Sequence, residues 1–159
     1  MRELLEILES NARISTAELS SMLQIPEDEV KAHIALLEQE KVIMSYSTLI
    51  NWERYGEESV TAFIEINLTP QREVGFDALA ERICRFDEVR SVYLISGNFD
   101  LLVVVQGKSL KEISNFVAKR VSTIEGVTQT RSHFLLKEYK KDGIILENTE
   151  QDRRLVIVP

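Results

Sequence analysis

The sequence is poor in the residues that build disulfides, metal centres and phosphate-binding loops. Among its 159 residues Cys84 is the only cysteine, there are two histidines, and the six glycines form no glycine-rich run. A single cysteine excludes an intrachain disulfide and a cysteine-cluster metal site, and we expect Cys84 to be a half-buried helix thiol. Since no nucleophile with a base, metal cluster or phosphate loop can be assembled, we expect no catalytic residue, no metal, no cofactor and no enzyme activity.

Long apolar runs are also missing. No stretch approaches the roughly 20 apolar residues that a bilayer-spanning helix needs. The first residues, "MRELLEILES", place charges within the first helical turns, which is unlike a secretory signal. With 44% apolar and 28% charged residues, the composition is that of a soluble globular protein. We therefore expect a cytoplasmic protein without a membrane partner.

Positive charge is scarce. The chain has 19 Lys and Arg against 26 Asp and Glu, a net charge of −7. Residues 1–43 contain four bases and nine acids, which is a net charge of −5 for this segment. This balance argues against a dedicated, high-affinity electrostatic binder of nucleic acid.

Three amphipathic helices are nevertheless predicted in the first 43 residues. "STAE" at Ser15–Glu18 has the pattern of a capping box at the start of the second helix, and Pro26 suits the start of the third. The β-rich "KVIMSYSTLIN" that follows can supply a strand, or wing. Together these elements predict a winged helix-turn-helix. The inward positions at helical spacing are Leu4, Ile7 and Leu8, then Leu19, Met22 and Leu23, then Val30, Ile34 and Leu37.

The outer face of the third helix offers little for DNA to hold. At 100° per residue it presents Asp28, Ala32, Ala35 and Gln39, flanked by Lys31 and Leu36. His33 lies nearer the inner face, where it either packs against the helices or contacts DNA. We expect weak or selective binding of double-stranded DNA. The candidate contacts are Arg13, Thr16, Lys31, His33, Gln39 and Lys41.

From Ser59 onward the pattern becomes β-α-β-β-α-β. "VTAFIEINL" alternates apolar and polar residues, as a strand with one buried face does, and a helix and the strand "VRSVYLIS" follow. The strand "LLVVV", a second helix and the strand "VTQTRSHFLL" repeat the unit. The joints "FDEVRSV" at 86–92 and "IEGVTQT" at 124–130 match at a spacing of 38 positions, which indicates an internal duplication. The inward helix positions are Phe76, Leu79, Ala80 and Ile83, then Leu110, Ile113, Val117 and Val121.

The predicted fold class is α+β, an N-terminal winged helix-turn-helix followed by a ferredoxin-like sandwich with both helices on one face of a four-stranded antiparallel sheet. We assign residues 1–50 to the helical domain, 51–58 to a linker and 59–159 to the ferredoxin-like domain. An Asp142–Gly143 turn and the strand-like "IILE" follow that unit. The closing "RLVIV" either adds a strand to the chain's own sheet or exchanges across a dimer.

These segments, taken in order, carry a resemblance. "NARIS", the run "LEQEKVI" at the end of the third helix and "SGNFDLLVVV" in the second domain resemble the Lrp/AsnC family, the leucine-responsive or feast/famine regulators. "LEQEKVI" is similar to the family's Leu-Glu-x-x-Gly-Val-Ile, and Gly97, Phe99 and Asp100 match its Gly-x-aromatic-Asp loop. Members of the family commonly carry basic residues where this chain has Ala32, Ala35 and Leu36.

The resemblance implies a transcriptional regulator that binds DNA as a homodimer or multiple of dimers and senses a small amino acid through its second domain. Backbone N–H groups in "SGNFD" can bind the carboxylate of that effector, and Asp100 can hold its ammonium. The alternative is a plain hairpin turn. The hydroxyls on the last strand either line the same pocket or are ordinary strand residues. The candidate effector residues are Ser96, Gly97, Asn98, Phe99, Asp100, Thr130 and Ser132.

A second function class stays open. The chain can instead be an amino-acid-sensing or assembly module whose helical domain has lost strong DNA binding and acts through a protein partner. The acidic helical segment is compatible with either function.

Overall fold

The computed structural model describes residues 1–69 and 75–146. The chain divides into two compact units, Met1–Ile50 and Asn51–Pro159. Within the described residues, no helix combines the length and the apolar character needed to cross a membrane.

The first unit is built from the three predicted helices, α1 (Arg2–Ser10), α2 (Thr16–Leu23) and α3 (Glu27–Gln39). The helical spacing of the apolar residues is confirmed, because the side chains at the predicted inward positions form its core. Met22 is the exception, since 56% of its surface is exposed. The buried members of this core are Leu4, Leu8, Leu19, Val30 and Leu37.

Local chemistry sets the starts of both α2 and α3. The capping box is confirmed: the Ser15 hydroxyl accepts from Glu18 N at 3.2 Å, and Ser15 N donates to the Glu18 carboxylate at 2.9 Å. The hydrogen bond from the Ser15 hydroxyl lowers the pKa of Glu18. Pro26 is the N-cap of α3, whose first turn carries three acids that suit the positive end of the helix dipole.

The predicted wing strand is absent, since residues 41–50 contain no strand in the structure. A strand needs a partner to receive its backbone hydrogen bonds, and residues 1–40 provide none. The segment instead lies beside α3, where the Tyr46 hydroxyl donates to Glu38 Oε1 at 2.9 Å. The β propensity of "KVIMSYSTLIN" was therefore overridden by the lack of a pairing strand.

The second unit begins with a short helix where the sequence predicted a linker. Helix α4 (Trp52–Tyr55) is capped by the Asn51 side chain and ends at Gly56 with φ +94°. The remaining elements of the ferredoxin-like unit follow in the predicted order. They are β1 (Val60–Leu68), α5 (Gly75–Cys84), β2 (Val89–Leu94), β3 (Leu101–Gly107), α6 (Leu110–Phe116) with a π-helical turn over Val117–Val121, and β4 (Val127–Phe134).

Strand β1 is central to the sheet, whose order is β2-β3-β1-β4 with antiparallel neighbours throughout. Its even-numbered residues from Ala62 to Leu68 are buried in the core with the helices, while its odd-numbered residues lie on the other face. The ferredoxin-like fold class is therefore confirmed, with one face of the sheet covered by α5 and α6.

In the second unit, two side chains depart from the predicted burial. Leu110 is 55% exposed, because α6 begins at that residue and the Ser109 hydroxyl caps it, so its first turn lies at the rim of the core. Cys84 is exposed at the last residue of α5, which corrects the expectation of a half-buried thiol. The other predicted inward residues of the two helices are buried or partly buried in the core.

The internal duplication is visible in the backbone. At the first joint Phe86 N donates to Ile83 O at 3.2 Å and Val89 N donates to Phe86 O at 3.0 Å. The equivalent bonds 38 positions later run from Ile124 N to Val121 O at 3.1 Å and from Val127 N to Ile124 O at 3.0 Å. The same helix-to-strand corner therefore occurs in both halves.

After β4 the chain forms a separate hairpin of β5 (Lys140–Lys141) and β6 (Ile144–Ile145). Its turn residues have positive φ angles, +45° at Asp142 and +82° at Gly143, as the Asp-Gly pair predicted. The closing "RLVIV" lies outside the described residues.

The hairpin between β2 and β3 is attached to the end of β1. Asp100 N donates to Ile66 O at 3.0 Å, and the Asp100 carboxylate accepts from Leu68 N at 2.7 Å through Oδ2. The Asn67 side-chain amide donates to Asn98 O at 3.0 Å. The backbone pairing between β1 and β3 ends at Ile66 and Leu101, and beyond it the Asp100 carboxylate is the acceptor for the partly buried N–H group of Leu68.

This contact predicts different outcomes for two substitutions of Asp100. Asp100→Ala removes the acceptor of Leu68 N, and we expect it to lower the free energy of unfolding by about 1–3 kcal/mol. Asp100→Asn keeps a carbonyl oxygen for that bond, and we expect at most half the loss. Denaturant unfolding of the three proteins measures the difference, and equal stability of both variants would contradict the structural role.

Candidate DNA-contacting and effector-binding sites

The outer face of α3 is exposed and nearly uncharged in its middle. Ala32, Ala35 and Gln39 are exposed, and the side chain of Leu36 is 42% exposed. His33 is partly buried, with Nε2 at 3.9 Å from Glu29 Oε1. The helical projection from the sequence is therefore confirmed, and His33 lies towards the packed side of the helix.

Lys31 and Thr16, two of the predicted DNA contacts, meet at one carboxylate oxygen. Glu27 Oε1 accepts from the Thr16 hydroxyl at 2.7 Å and lies 2.9 Å from Lys31 Nζ. The hydrogen bond from Thr16, followed by the bond and the charge of Lys31, lowers the pKa of Glu27, while the bond to Glu27 raises the pKa of Lys31. Glu27 thus links the first turn of α2 to α3, a role that the sequence alone did not reveal.

Two cations of the helical unit have no such partner. Within the described part of the chain, the side chains of Arg13 and Lys41 make no ion pair or hydrogen bond. Lys41 also has a φ of +54°, a left-handed conformation that is unfavourable for a residue with a Cβ. It follows α3 at the position where the motif "LEQEKVI" resembles Leu-Glu-x-x-Gly-Val-Ile, so that a lysine here takes the conformation typical of glycine.

The loop Ser96–Asp100 presents unbonded donors. Ile95 N donates to Asp100 O at 2.8 Å and closes the loop. Between these residues, the four backbone N–H groups of Ser96–Phe99 have no acceptor among the described residues. Asp100 uses Oδ2 for Leu68 N, and Oδ1 has no protein donor in that part of the chain. A row of N–H groups beside a carboxylate has the polar groups that a zwitterion requires.

The loop does not need its glycine for its own conformation. Gly97 has no positive φ, and a Cβ placed on it would meet only Ile95 Cγ2 at 3.7 Å, an ordinary contact. Asn98 also lacks a positive φ, so the loop depends on neither residue for a left-handed turn conformation. The space beside Gly97 is therefore open in the isolated chain.

Thr130 and Ser132 lie apart from the loop. Both residues are on the edge strand β4, where they pair with Ile66 and Ile64 of β1. Because β1 lies between β4 and β3, they are about 10 Å from β3 and its loop. The Thr130 hydroxyl lies 3.2 Å from the Ser122 hydroxyl at the end of the second helix. Thr130 borders the same end of the sheet as the loop, whereas Ser132 lies two residue pairs further along β4.

Asn67 is a residue that the sequence reasoning missed. Its side chain donates to Asn98 O, and its backbone carbonyl accepts from the Thr128 hydroxyl at 3.0 Å. It therefore links the loop to β4 across the end of β1. The available signal was an asparagine at the end of a strand otherwise rich in β-branched residues, because asparagine is depleted in strands.

The second unit contains a cavity that does not include these groups. This open cavity of about 850 Å³ is lined by residues such as Trp52, Asp87 and Gln106, and by none of the predicted effector residues. In the described ranges, no cluster of three or more His, Cys, Asp and Glu side chains can hold a metal ion.

The sheet face opposite the helices is partly apolar and partly charged. Phe63, Leu102 and Val104 are partly buried there, and Tyr93 is 51% exposed. The pairs Phe63–Val104 and Tyr93–Leu102 are direct neighbours across strands. Beside this apolar patch, Glu65 contacts Arg131 Nη1 at 2.9 Å and His133 Nε2 at 3.1 Å.

Comparison with known proteins finds relatives for both the helical unit and the ferredoxin-like unit. A family model described as winged helix-turn-helix DNA-binding matches residues 1–44, and the Lrp/AsnC ligand binding domain matches residues 61–145. The chain is 48% identical over 158 residues to YugG of Bacillus subtilis, an uncharacterized HTH-type transcriptional regulator, covering 99% of this chain and 95% of that protein.

Solved structures give the same result. A feast or famine regulatory protein of Mycobacterium tuberculosis, complexed with L-methionine, is 26% identical and has a TM-score of 0.73, covering 89% of this chain and 92% of that one. AsnC of Escherichia coli has the same fold at 21% identity, with a TM-score of 0.70 and coverage of 88% and 92%. These are DNA-binding transcriptional regulators rather than enzymes, and the present chain belongs to their family, Lrp/AsnC.

Proposed function

We propose that this protein is a transcriptional regulator that binds double-stranded DNA as a homodimer or multiple of dimers and responds to a small amino acid at the Ser96–Asp100 loop. Residues 1–50 act on DNA, and residues 59–159 bind the effector and form the dimer. The observation that carries the proposal is that one chain combines an exposed α3 with a loop of four unbonded N–H groups beside a carboxylate.

For DNA, the support is the geometry of the helical unit together with its few cations. In helix-turn-helix proteins the second helix of the motif enters the major groove, and surrounding cations fix the register on phosphates. Here α3 is that helix, and Gln39 is its exposed amide for a base edge. Arg13 and Lys41 are the available phosphate contacts. With so few contacts, one helical unit binds weakly, and several units on one oligomer gain affinity through effective concentration.

For the effector, the support is chemical complementarity. The N–H groups of Ser96–Phe99 match a carboxylate, and Asp100 Oδ1 matches an α-ammonium. The open space beside Gly97 leaves room for a ligand or a second subunit. The neighbouring strands are rich in Val, Ile and Leu, which favours an apolar side chain, and the related protein of M. tuberculosis is described as complexed with L-methionine.

For the dimer, the support is the one-sided helix layer. Phe63, Leu102 and Val104 lie on the sheet face that the chain's own helices leave uncovered, and partly exposed apolar patches of this kind mark protein interfaces. A second copy of the same face covers the patch by twofold symmetry.

A second candidate function is favoured by the bond between Glu27 and Lys31. With that cation engaged and a net charge of −5 over residues 1–43, the helical unit can instead modulate a protein partner. DNA binding that depends on salt and on residues of the helical unit separates the two functions.

The DNA proposal predicts that Lys41→Gly makes the protein more stable and lowers its affinity for DNA. Glycine relieves the left-handed backbone and raises the free energy of unfolding by roughly 0.5–1 kcal/mol. The loss of one phosphate contact lowers the slope of log K against log salt by roughly 0.9, as Arg13→Ala should also do. Binding to a duplex from upstream of the protein's own gene is measured over a salt series. Lys111→Ala is the control, and unchanged slopes in both helical variants would show that this unit is not the reader.

The effector proposal predicts that an apolar amino acid such as L-methionine or L-leucine raises the melting temperature of the wild type. Asp100→Asn keeps the bond to Leu68 N and removes the charge that holds the ammonium, so it should weaken binding about ten- to a hundredfold. Thermal shift titrations measure both effects, with L-glutamate as the comparison ligand. If no common amino acid stabilises the wild type, the loop is a structural turn.

The dimer proposal predicts that the wild type scatters light as a dimer or larger assembly at micromolar concentration. Val104→Glu places a charge in the centre of the apolar sheet face and should yield a monomer, since an unpaired charge is costly to bury. Ala78→Glu introduces the same charge at an exposed position of α5 and should leave the mass unchanged. A monomeric wild type would refute the interface.

A further inference from the structure

The carboxylate of Glu27 contacts both Lys31 and Thr16, which are two of the predicted DNA contacts. Both donors converge on one oxygen, Glu27 Oε1, at 2.7 Å from the Thr16 hydroxyl and 2.9 Å from Lys31 Nζ. A hydroxyl and an ammonium on a single anionic oxygen is also the arrangement by which proteins bind a backbone phosphate. The two donors come from α2 and α3, the helices of the helix-turn-helix pair.

We propose that Glu27 is an intramolecular competitor of the DNA backbone, which a phosphate must displace from Lys31 and Thr16 when the helical unit binds. This inference rests on the proposed DNA-binding function and adds the residue that limits its affinity. Glu27 acts by withholding two contacts, and it need not touch DNA itself.

The exposure of the Glu27 and Lys31 side chains fits such an exchange. The side chains of Glu27 and Lys31 are 42% and 54% exposed, so solvent and a phosphate can reach both without any rearrangement of the core. The contact is charge-assisted and is supported by the lowered pKa of Glu27 and the raised pKa of Lys31. The contact between Glu27 and Lys31 is therefore formed in the free protein and remains accessible to solvent.

Neighbouring acids do not duplicate this role. Asp28 Oδ1 lies 3.8 Å from Lys31 Nζ, beyond hydrogen-bond distance, and its side chain is 98% exposed. Glu29 lies on the same helical turn, but it contacts His33 at 3.9 Å rather than Lys31. Glu29→Gln is therefore a matched control, because it removes the same charge from the same turn without releasing Lys31.

The test is a double-mutant cycle on DNA affinity. In Glu27→Gln the amide oxygen can still accept from Thr16, whereas the pairing with Lys31 is lost. We expect this variant to bind a duplex from upstream of the protein's own gene roughly two- to fivefold more tightly than Glu29→Gln, the range of one exposed ion pair. Its log–log salt slope should steepen by up to about 0.9 relative to the wild type.

The gain must also depend on Lys31. In the background of Lys31→Ala, the substitution Glu27→Gln should bring no more affinity than Glu29→Gln does. Glu27→Ala, which releases Thr16 as well, should bind at least as tightly as Glu27→Gln, and circular dichroism checks that the helices persist in every variant.

The outcomes distinguish the inference from the function on which it rests. If the wild type binds the duplex and Glu27→Gln behaves like Glu29→Gln, or if the gain survives the loss of Lys31, the competitor role is wrong and the regulator stands. If neither the wild type nor any variant binds DNA at about 10 mM salt, where electrostatic binding is strongest, the DNA-binding function itself is wrong and the competitor role falls with it.

Discussion

The pleat of β1 is the constraint on which the second unit depends. This strand pairs on both sides, with β3 and β4, and its even-numbered residues are buried under the helices. Because successive side chains alternate between faces, its odd-numbered residues are fixed on the face opposite α5 and α6. The same strand ends at Asn67 and Leu68, which hold the Ser96–Asp100 loop. The register of β1 therefore determines which residues form the core, which residues lie on the opposite face, and where the loop is held.

Much of this was predictable, because periodicity reports which side of an element is buried. The three N-terminal helices, the β-α-β-β-α-β order and the capping box at Ser15 all follow from local spacing and local hydrogen-bond chemistry. The duplication at a spacing of 38 residues is repeated in matching backbone bonds at the two helix-to-strand corners. In each of these cases the interacting residues are close together in the sequence, or apolar and polar residues simply alternate along a strand.

The expectations that failed have other causes, since one depends on a pairing partner elsewhere in the chain and another on the residue at which a helix begins. "KVIMSYSTLIN" has strand propensity, but residues 1–40 offer no strand for it to pair with. Leu110 has the right helical spacing and is exposed because the helix begins at that residue. Thr130 and Ser132 stay a prediction as effector residues, and spacing alone did not show that the strand order places β1 between them and the loop. Neither propensity nor spacing contains that information.

Glu27 illustrates why the charge of a segment and its charge pattern have different consequences. The net charge of −5 over residues 1–43 predicts weak DNA binding whichever acids cause it. The structure distributes these acids unequally: Glu18 serves the cap of α2, and Glu27 engages Thr16 and Lys31. Only the second of these uses groups that DNA would also use. A helical unit limited in this way gains most from being presented in several copies, since each added unit multiplies a small affinity by an effective concentration. Under the proposed function, the sheet face opposite α5 and α6 would provide those copies by forming the dimer.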